Sequence, residues 1–172
     1  YTDGQKWVPS VSAMLDVLMP MPSEWIDSEA LEAGTTLHRL LFLASKGQSA
    51  DMPTAFPRVM AVLTWMKTQG LRVLDTETPH ISRAGYGGKP DALLQARRPV
   101  VADFKFAESL PKRYEVQLEL YRRLYVGFLP EMLLVQVNKN CEVKPRWLKP
   151  NHAHYAAGLN AINVLKWRMT YG

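Results

Sequence analysis

Residues 85–121 decide the fold and read GYGGKPDALLQARRPVVADFKFAESLPKRYEVQLELY. Two short apolar segments in this stretch, Pro90–Leu94 and Val100–Phe106, flank the turn-like segment Gln95–Pro99. Apolar runs on either side of a short turn are typical of a β-hairpin. We therefore predict that these two segments pair as antiparallel strands.

The second strand of this hairpin contains an acid and a lysine at alternate positions, Asp103 and Lys105. Side chains alternate between the two faces of a strand, so these two share one face and the phenylalanines around them take the other. Antiparallel pairing about the turn places Asp91 within about one residue of the position opposite Asp103 or Phe104. Two carboxylates and an ammonium group are thus expected to converge.

Carboxylates a few ångströms apart repel each other and tend to raise each other's pKa unless a cation lies between them. Oxygen ligands of this kind suit Mg²⁺ or Mn²⁺. The hairpin residues therefore predict a metal site. A simpler interpretation of the Asp-x-Lys pattern alone is an exposed hairpin face with a salt bridge between Asp103 and Lys105.

The length and composition favour one globular domain. The chain has 172 residues, 47% hydrophobic and 22% charged, which is ordinary for a folded domain with a substantial core. We expect residues 1–172 to form a single domain. The one cysteine, Cys141, excludes an intramolecular disulfide framework and a cluster held by several cysteines. It also favours an intracellular compartment, either cytoplasmic or, in a eukaryote, mitochondrial or nuclear.

The charge is positive, with 21 Lys and Arg against 16 Asp and Glu, a net charge of +5. This balance favours a polyanionic partner such as nucleic acid, and an anionic membrane surface is the alternative. No apolar run is as long as a membrane span, so we expect no membrane partner. Acids that bind a metal, on a basic surface that attracts phosphate, are the combination that phosphodiester hydrolysis needs.

Upstream of the hairpin, a helix is predicted from about Glu24 or Ser28 to Ser45. Gly34 and His38 lie four residues apart and so share one face of it. A glycine inside a helix costs about 1 kcal/mol relative to alanine, which suggests that something approaches the backbone closely at Gly34. His38 considered alone could simply pack beside the core.

A strand is predicted at Leu71–Thr78, with Glu77 near its end as either a third carboxylate of the site or a solvated acid. The glycines Gly87 and Gly88 that follow could form a plain turn or allow close approach of a phosphate backbone.

After the hairpin, Pro111 is expected to begin a helix that runs to about Gly127. Gln117 and Tyr121 lie four residues apart and form a polar pair on one face of this helix. Two further strands, 132–137 and 143–148, and a closing helix at about 152–169 complete the predicted elements. The order of elements predicts an α/β or α+β domain with a mixed central sheet flanked by helices.

These features together resemble the PD-(D/E)XK nuclease superfamily, and more narrowly its branch of RecB-like and lambda-exonuclease-like exonucleases. The resemblance is carried by five motifs in order: Gly34-x-x-x-His38, Glu77, Gly88-Lys89-Pro90-Asp91, Asp103-Phe104-Lys105 and Gln117-x-x-x-Tyr121. The resemblance implies a core like that of restriction endonucleases. Asp103 stands where glutamate is commoner in the superfamily.

The resemblance also implies a role for each matching residue. The catalytic residues would be Asp91, Asp103 and Lys105, with Lys105 orienting or helping to deprotonate the attacking water. The metal ligands would be His38, Glu77, Asp91, Asp103 and the backbone carbonyl of Phe104. The residues that support the site or contact nucleic acid would be Gly34, Gln117, Tyr121, Lys89, Lys112 and Arg113.

The activity implied by this resemblance is a DNA exonuclease, dependent on one or two Mg²⁺ or Mn²⁺ ions and without an iron–sulfur cluster. It would act on a single- or double-stranded DNA end in repair, recombination or phage DNA processing. A recombination, annealing or helicase protein could be a partner, and a homo-oligomer is compatible with the family. The alternatives are a structure-specific or nicking endonuclease and a catalytically inactive nucleic-acid-binding module.

Overall fold

The computed structural model describes residues 2–3, 6–22, 27–46, 48 and 57–171. Its helices are α1 (Val11–Leu18), α2 (Ser28–Ser45), α3 (Pro57–Thr68), α4 (Arg113–Arg122) and α5 (His152–Tyr171). Its strands are β1 (Thr2–Asp3), β2 (Lys6–Trp7), β3 (Arg72–Asp75), β4 (His80–Ile81), β5 (Gly87–Gly88), β6 (Ala92–Gln95), β7 (Pro99–Phe106), β8 (Glu131–Val137) and β9 (Val143–Leu148).

The central sheet has five strands in the order β3-β6-β7-β8-β9. Strands β7 and β8 run parallel, and the other neighbouring pairs are antiparallel. The helix α4 connects the two parallel strands, because a parallel pair requires a crossover connection. The predicted mixed sheet flanked by helices is confirmed.

Two hydrophobic clusters lie on opposite faces of the sheet. Helices α1, α4 and α5 contribute to the first, and α2 and α3 to the second. Consecutive residues of β7 alternate between them, with Val101 in the first cluster and Ala102 in the second. This alternation follows from the pleat of the strand and fixes which face of β7 carries each polar residue.

The predicted hairpin is formed by β6 and β7, with Ala92 opposite Ala102. Extending this register by one residue places Asp91 opposite Asp103, within the range expected from the sequence. The two carboxylates therefore lie where the ladder of the hairpin ends.

The helix α2 begins at Ser28, because Asp27 caps it by accepting hydrogen bonds from the backbone amides of Glu29 and Ala30. The alternative start at Glu24 lies outside the described residues. The helix ends at Ser45, as predicted.

Two other elements are shorter than the sequence predicted. The strand β3 ends at Asp75 rather than Thr78, because the Asp75 carboxylate accepts hydrogen bonds from the Thr76 amide and the Thr78 hydroxyl and so turns the chain. The helix α4 begins at Arg113 and ends at Arg122, well before Gly127. Gly127 has a positive φ of 92° and lies in the loop that leads to β8.

The closing helix α5 has 20 residues and packs against α1 and α4. Its glycine, Gly158, faces Leu120 so closely that an added Cβ would lie 2.5 Å from a methyl group. Across the described ranges, no helix has both the length and the apolar character needed to cross a membrane.

Candidate active site

The site is centred on the end of the β6–β7 hairpin, where Asp91, Asp103 and Lys105 meet. Lys105 Nζ donates a hydrogen bond of 2.9 Å to Asp103 Oδ1. It also lies 2.8 Å from Asp103 Oδ2, at an angle outside hydrogen-bonding geometry. Asp91 Oδ2 accepts a hydrogen bond of 2.9 Å from the backbone amide of Phe104. Both carboxylates are buried, and Lys105 forms an ion pair with Asp103.

The pKa values of the two carboxylates are shifted in opposite directions from their ordinary values. Burial raises the pKa of Asp103 to about 7, and the Asp91 charge adds to this rise while Lys105 opposes it. Burial also acts to raise the pKa of Asp91, but Lys105, His38 and the Phe104 amide together lower it below its usual value. The pKa of Lys105 is raised because its two carboxylate neighbours outweigh burial. Asp91 is thus the more readily ionised acid.

His38 lies between two acids, Glu77 and Asp91, and contacts both of them. His38 Nδ1 lies 3.2 Å from Glu77 Oε1, and His38 Nε2 lies 3.4 Å from Asp91 Oδ2. Burial lowers the pKa of His38, but Asp91 and Glu77 reverse this and raise it above its ordinary value. The structure therefore links three of the side chains predicted as metal ligands, Glu77, His38 and Asp91, through contacts of 3.2 and 3.4 Å.

Glu77 reaches His38 from an unusual backbone conformation. Its φ is 47°, in the left-handed region that non-glycine residues rarely adopt. The loop is fixed by the Glu77 amide, which donates to the Pro90 carbonyl, and by the Asp75 side chain described above. The sequence placed Glu77 near a strand end but contained no indication of this turn.

The helix α4 supports the other side of the site with Gln117 and Tyr121. Gln117 Nε2 donates a hydrogen bond of 3.1 Å to the Tyr121 hydroxyl. Burial raises the pKa of Tyr121, and the charges of Asp91 and Asp103 raise it further, so the hydroxyl stays protonated. The predicted pair is therefore formed.

Gly88 serves the packing of this helix. A Cβ at Gly88 would lie 2.8 Å from Tyr121 Cε1 and 3.1 Å from Val11 Cγ2. Gly87 and Gly88 form the strand β5 rather than the plain turn that was one of the two alternatives, and the space beside Gly88 is taken by the protein's own side chains. At Gly34 a Cβ would meet no described atom within 4 Å, so the described part of the protein does not make the close approach expected there.

Tyr114 is a site residue that the sequence analysis missed. Lys105 Nζ lies 4.8 Å from the centre of its ring, a distance typical of a cation–π interaction. Residues 114, 117 and 121 follow the i, i+3, i+7 spacing of one helical face. This spacing, together with the lysine predicted for the site, could have indicated that Tyr114 lies beside Lys105.

Asp91 and Lys105 line a cleft of about 690 Å³, whereas the Asp103 carboxylate is fully buried. One wall is the first half of α2, and the other is the loop after β7. The cleft-lining residues that carry charge or can hydrogen-bond are Asp27, Thr35, His38, Arg58, Asp91, Lys105, Glu108, Ser109, Tyr114 and Lys139. Gly34 also lines it, so the space beside this glycine belongs to the cleft. Arg58, like Tyr114, was not expected from the sequence.

The three basic residues predicted to contact nucleic acid differ in their surroundings. Lys89 and Lys112 are exposed. Arg113 is buried, and its guanidinium donates to the Met19 carbonyl at 2.7 Å and to Asp16 at 3.0 Å. These contacts join the start of α4 to α1, so Arg113 has a structural role within the protein.

The donor atoms at the site fit a hard divalent ion by their chemistry. They are carboxylate oxygens and one imidazole nitrogen, and the buried Asp103 Oδ2 accepts no hydrogen bond from the part of the chain that the structure describes. Within the described ranges, no group of three or more His, Cys, Asp or Glu side chains is gathered closely enough to enclose an ion. Lys105 and His38 instead neutralise the carboxylates through ion pairs.

No family model matches this chain, and no curated protein matches it either. The fold is shared with solved exonuclease structures. The structure of LHK-Exo in complex with dAMP is 15% identical, with a TM-score of 0.55 over 95% of this chain and 90% of that one. The alkaline exonuclease LHK-Exo from Laribacter hongkongensis, in a second structure, is 13% identical with a TM-score of 0.57 over 94% and 87%.

A candidate exonuclease from Eubacterium rectale is similar to the same degree. It is 14% identical, with a TM-score of 0.56 over 99% of this chain and 85% of that one. At such low identity these similarities establish the fold. The chain thus has the fold of these exonuclease structures, and it places its buried acids and lysine together at one end of the central hairpin.

Proposed function

We propose that this chain is a divalent-metal-dependent nuclease of the PD-(D/E)XK superfamily, acting as a DNA exonuclease. The observation that carries the proposal is the group formed by the buried Asp91 and Asp103 with Lys105, of which Asp91 and Lys105 line an open cleft. Like charges buried near each other destabilise a fold, so their presence beside a cleft favours a functional role.

Asp91, Asp103 and the Phe104 carbonyl would hold Mg²⁺ or Mn²⁺, with His38 and Glu77 as further ligands on the α2 side. A bound divalent ion supplies an activated water and stabilises negative charge at the phosphate. The low pKa of Asp91 keeps its carboxylate ionised and ready to accept a cation.

Lys105 is proposed to act on the attacking water and on the developing negative charge. Its ammonium group lies beside Asp103 and over the Tyr114 ring, which holds it in one position. A pre-positioned cation stabilises a charged transition state without having to reorganise. Gln117 and Tyr121 would hold this side of the site, and Lys89 and Lys112 would contact the phosphate backbone without reading sequence.

The choice of exonuclease rests on two supports. The five sequence motifs resemble the RecB-like and lambda-exonuclease-like branch, and the structural neighbours are named as exonucleases. We further propose DNA as the substrate, in line with the dAMP bound to LHK-Exo and with the net charge of +5. Residues 1–172 would form one nuclease domain that serves DNA repair, recombination or phage DNA processing.

The test compares end-labelled linear DNA with covalently closed circular DNA, each with Mg²⁺, Mn²⁺ or EDTA. We expect metal-dependent loss of the linear DNA alone, and the label then shows which end is attacked. Cutting of the closed circle would establish an endonuclease instead. Binding of both substrates without cleavage would support a non-catalytic binding module.

A further inference from the structure

Arg58 is a buried cation in the wall of the cleft. It is the second residue of α3, its side chain is 5% exposed, and it lines the same cleft as Asp91 and Lys105. Its guanidinium lies over the ring of Phe106, 5.6 Å from the ring centre. Phe106 follows Lys105 by one residue on β7, so Arg58 stands next to the strand that carries the proposed catalytic lysine.

The guanidinium has more donors than the described residues use. An arginine side chain offers five N–H donors in a planar fork, and here Arg58 Nη2 donates one hydrogen bond, of 2.8 Å, to Glu29 Oε1. A planar fork held against an aromatic ring is well suited to bidentate recognition of a phosphate.

The partner of Arg58 is held loosely. The Glu29 side chain is 71% exposed, and it belongs to the first turn of α2, whose next residues line the cleft. An ion pair with one partner in solvent contributes little, because water solvates the exposed carboxylate almost as well. Glu29 itself therefore loses little when it leaves Arg58, and the buried guanidinium then needs another anion, which a phosphate group supplies.

We infer that Arg58 is a second phosphate-binding site of the cleft, and that Glu29 occupies it until a phosphate group of the substrate takes its place. This inference rests on the proposed function, since it assigns a further contact to the same substrate. The ligand is a phosphate oxygen pair, which either a terminal phosphomonoester or an internal phosphodiester can provide.

A purely structural ion pair and a phosphate site predict different effects of Glu29→Gln. If the pair only joins α2 to α3, removing the charge leaves DNA affinity unchanged. If Glu29 competes with phosphate, its neutralisation tightens binding. The backbone amide of Glu29, which donates to Asp27, is retained in the variant, so the start of the helix is preserved.

The measurement is the dissociation constant of an internally labelled single-stranded oligodeoxynucleotide in EDTA at low salt, for the wild type, Glu29→Gln and Glu32→Gln. Glu32 is an exposed acid on the same helix, so it controls for the change in net charge. We expect Glu29→Gln to bind about two- to fivefold more tightly than Glu32→Gln, with the difference shrinking as salt increases. Equal affinities of the two variants, with wild-type cleavage intact, would overturn the inference and leave the proposed function standing.

Oligonucleotides with hydroxyls at both ends, or with a phosphate at the 5′ or the 3′ end, identify the source of the phosphate. If Glu29→Gln increases affinity only for the oligonucleotide with one particular phosphorylated end, the ligand is a terminal phosphomonoester. If it increases affinity equally for all three oligonucleotides, the ligand is an internal phosphodiester.

Arg58→Lys keeps the positive charge but loses the planar fork of donors, so we expect it to bind DNA about tenfold more weakly than the wild type. Unchanged affinity in Arg58→Lys would contradict the site. A wild type that neither binds nor cleaves DNA would defeat the proposed function and, with it, this inference.

Discussion

The Asp91 carboxylate accepts a hydrogen bond from the backbone amide of Phe104, at 2.9 Å. It does so at the point where the ladder between β6 and β7 ends, so an acid of the proposed site also completes the backbone hydrogen bonding of the central strand. Asp91 therefore both stabilises the strand and belongs to the proposed site.

This relationship predicts a double effect of Asp91→Ala. Cleavage should be lost, and the free energy of unfolding should fall by about 1–3 kcal/mol because a buried amide loses its acceptor. Urea denaturation followed by circular dichroism measures the second effect. Unfolding at the wild-type urea concentration would show that the Phe104 amide does not depend on Asp91.

Lys105→Met should abolish cleavage and also destabilise the protein in metal-free buffer. Removing one partner of a buried ion pair costs about 3–5 kcal/mol because the other charge is left unpaired. Adding Mn²⁺ should then raise the melting temperature of the variant more than that of the wild type, since the ion replaces the missing positive charge. An equal rise in both proteins would show that metal does not bind between these carboxylates.

His38 is expected to contribute less to metal binding than the buried acid Asp91. His38 is partly exposed and reaches Asp91 at 3.4 Å, so His38→Ala removes one neutral ligand while leaving both carboxylates. The Mn²⁺ concentration for half-maximal cleavage should rise less in His38→Ala than in Asp91→Ala. A rise as large or larger would reverse this ranking of the ligands.

The ring of Tyr114 should matter for Lys105, and its hydroxyl should not. A cation–π contact contributes about 0.5–2 kcal/mol, so we expect Tyr114→Leu to lower kcat about 2- to 30-fold with little change in KM. Tyr114→Phe keeps the ring and should retain nearly full activity. If Phe and Leu reduce kcat equally, the ring does not position the lysine.

Two glycines provide a matched comparison of stability. Gly88→Ala should cost about 1–3 kcal/mol, because its methyl group would collide with Tyr121 and Val11. Gly34→Ala places its methyl group more than 4 Å from any described atom and should stabilise α2 by up to about 1 kcal/mol. Thermal unfolding of both variants checks the signs. A stabilising Gly88→Ala or a destabilising Gly34→Ala would contradict the packing described.

The sequence predicted best what depends on local spacing. The alternation in β7 placed Asp103 and Lys105 on one face, and the four-residue spacing paired Gln117 with Tyr121. Contacts between distant segments were not predictable in this way. Arg58 meets Glu29 across 29 residues and Arg113 meets Asp16 across 97, and such pairs depend on how the helices pack. The left-handed turn at Glu77 was not predicted either, because an Asp-Thr-Glu-Thr segment is as compatible with the end of a strand as with a turn.

The most direct test of the account is cleavage of end-labelled linear DNA by the wild type and Asp103→Asn, each with Mg²⁺ and with EDTA. Asparagine has nearly the same shape as aspartate, so the variant removes the charge and leaves the packing. We predict cleavage only by the wild type with Mg²⁺, and a rate for Asp103→Asn lower by about a thousandfold or more. Wild-type cleavage by Asp103→Asn, or equal cleavage in EDTA, would place the chemistry outside this site.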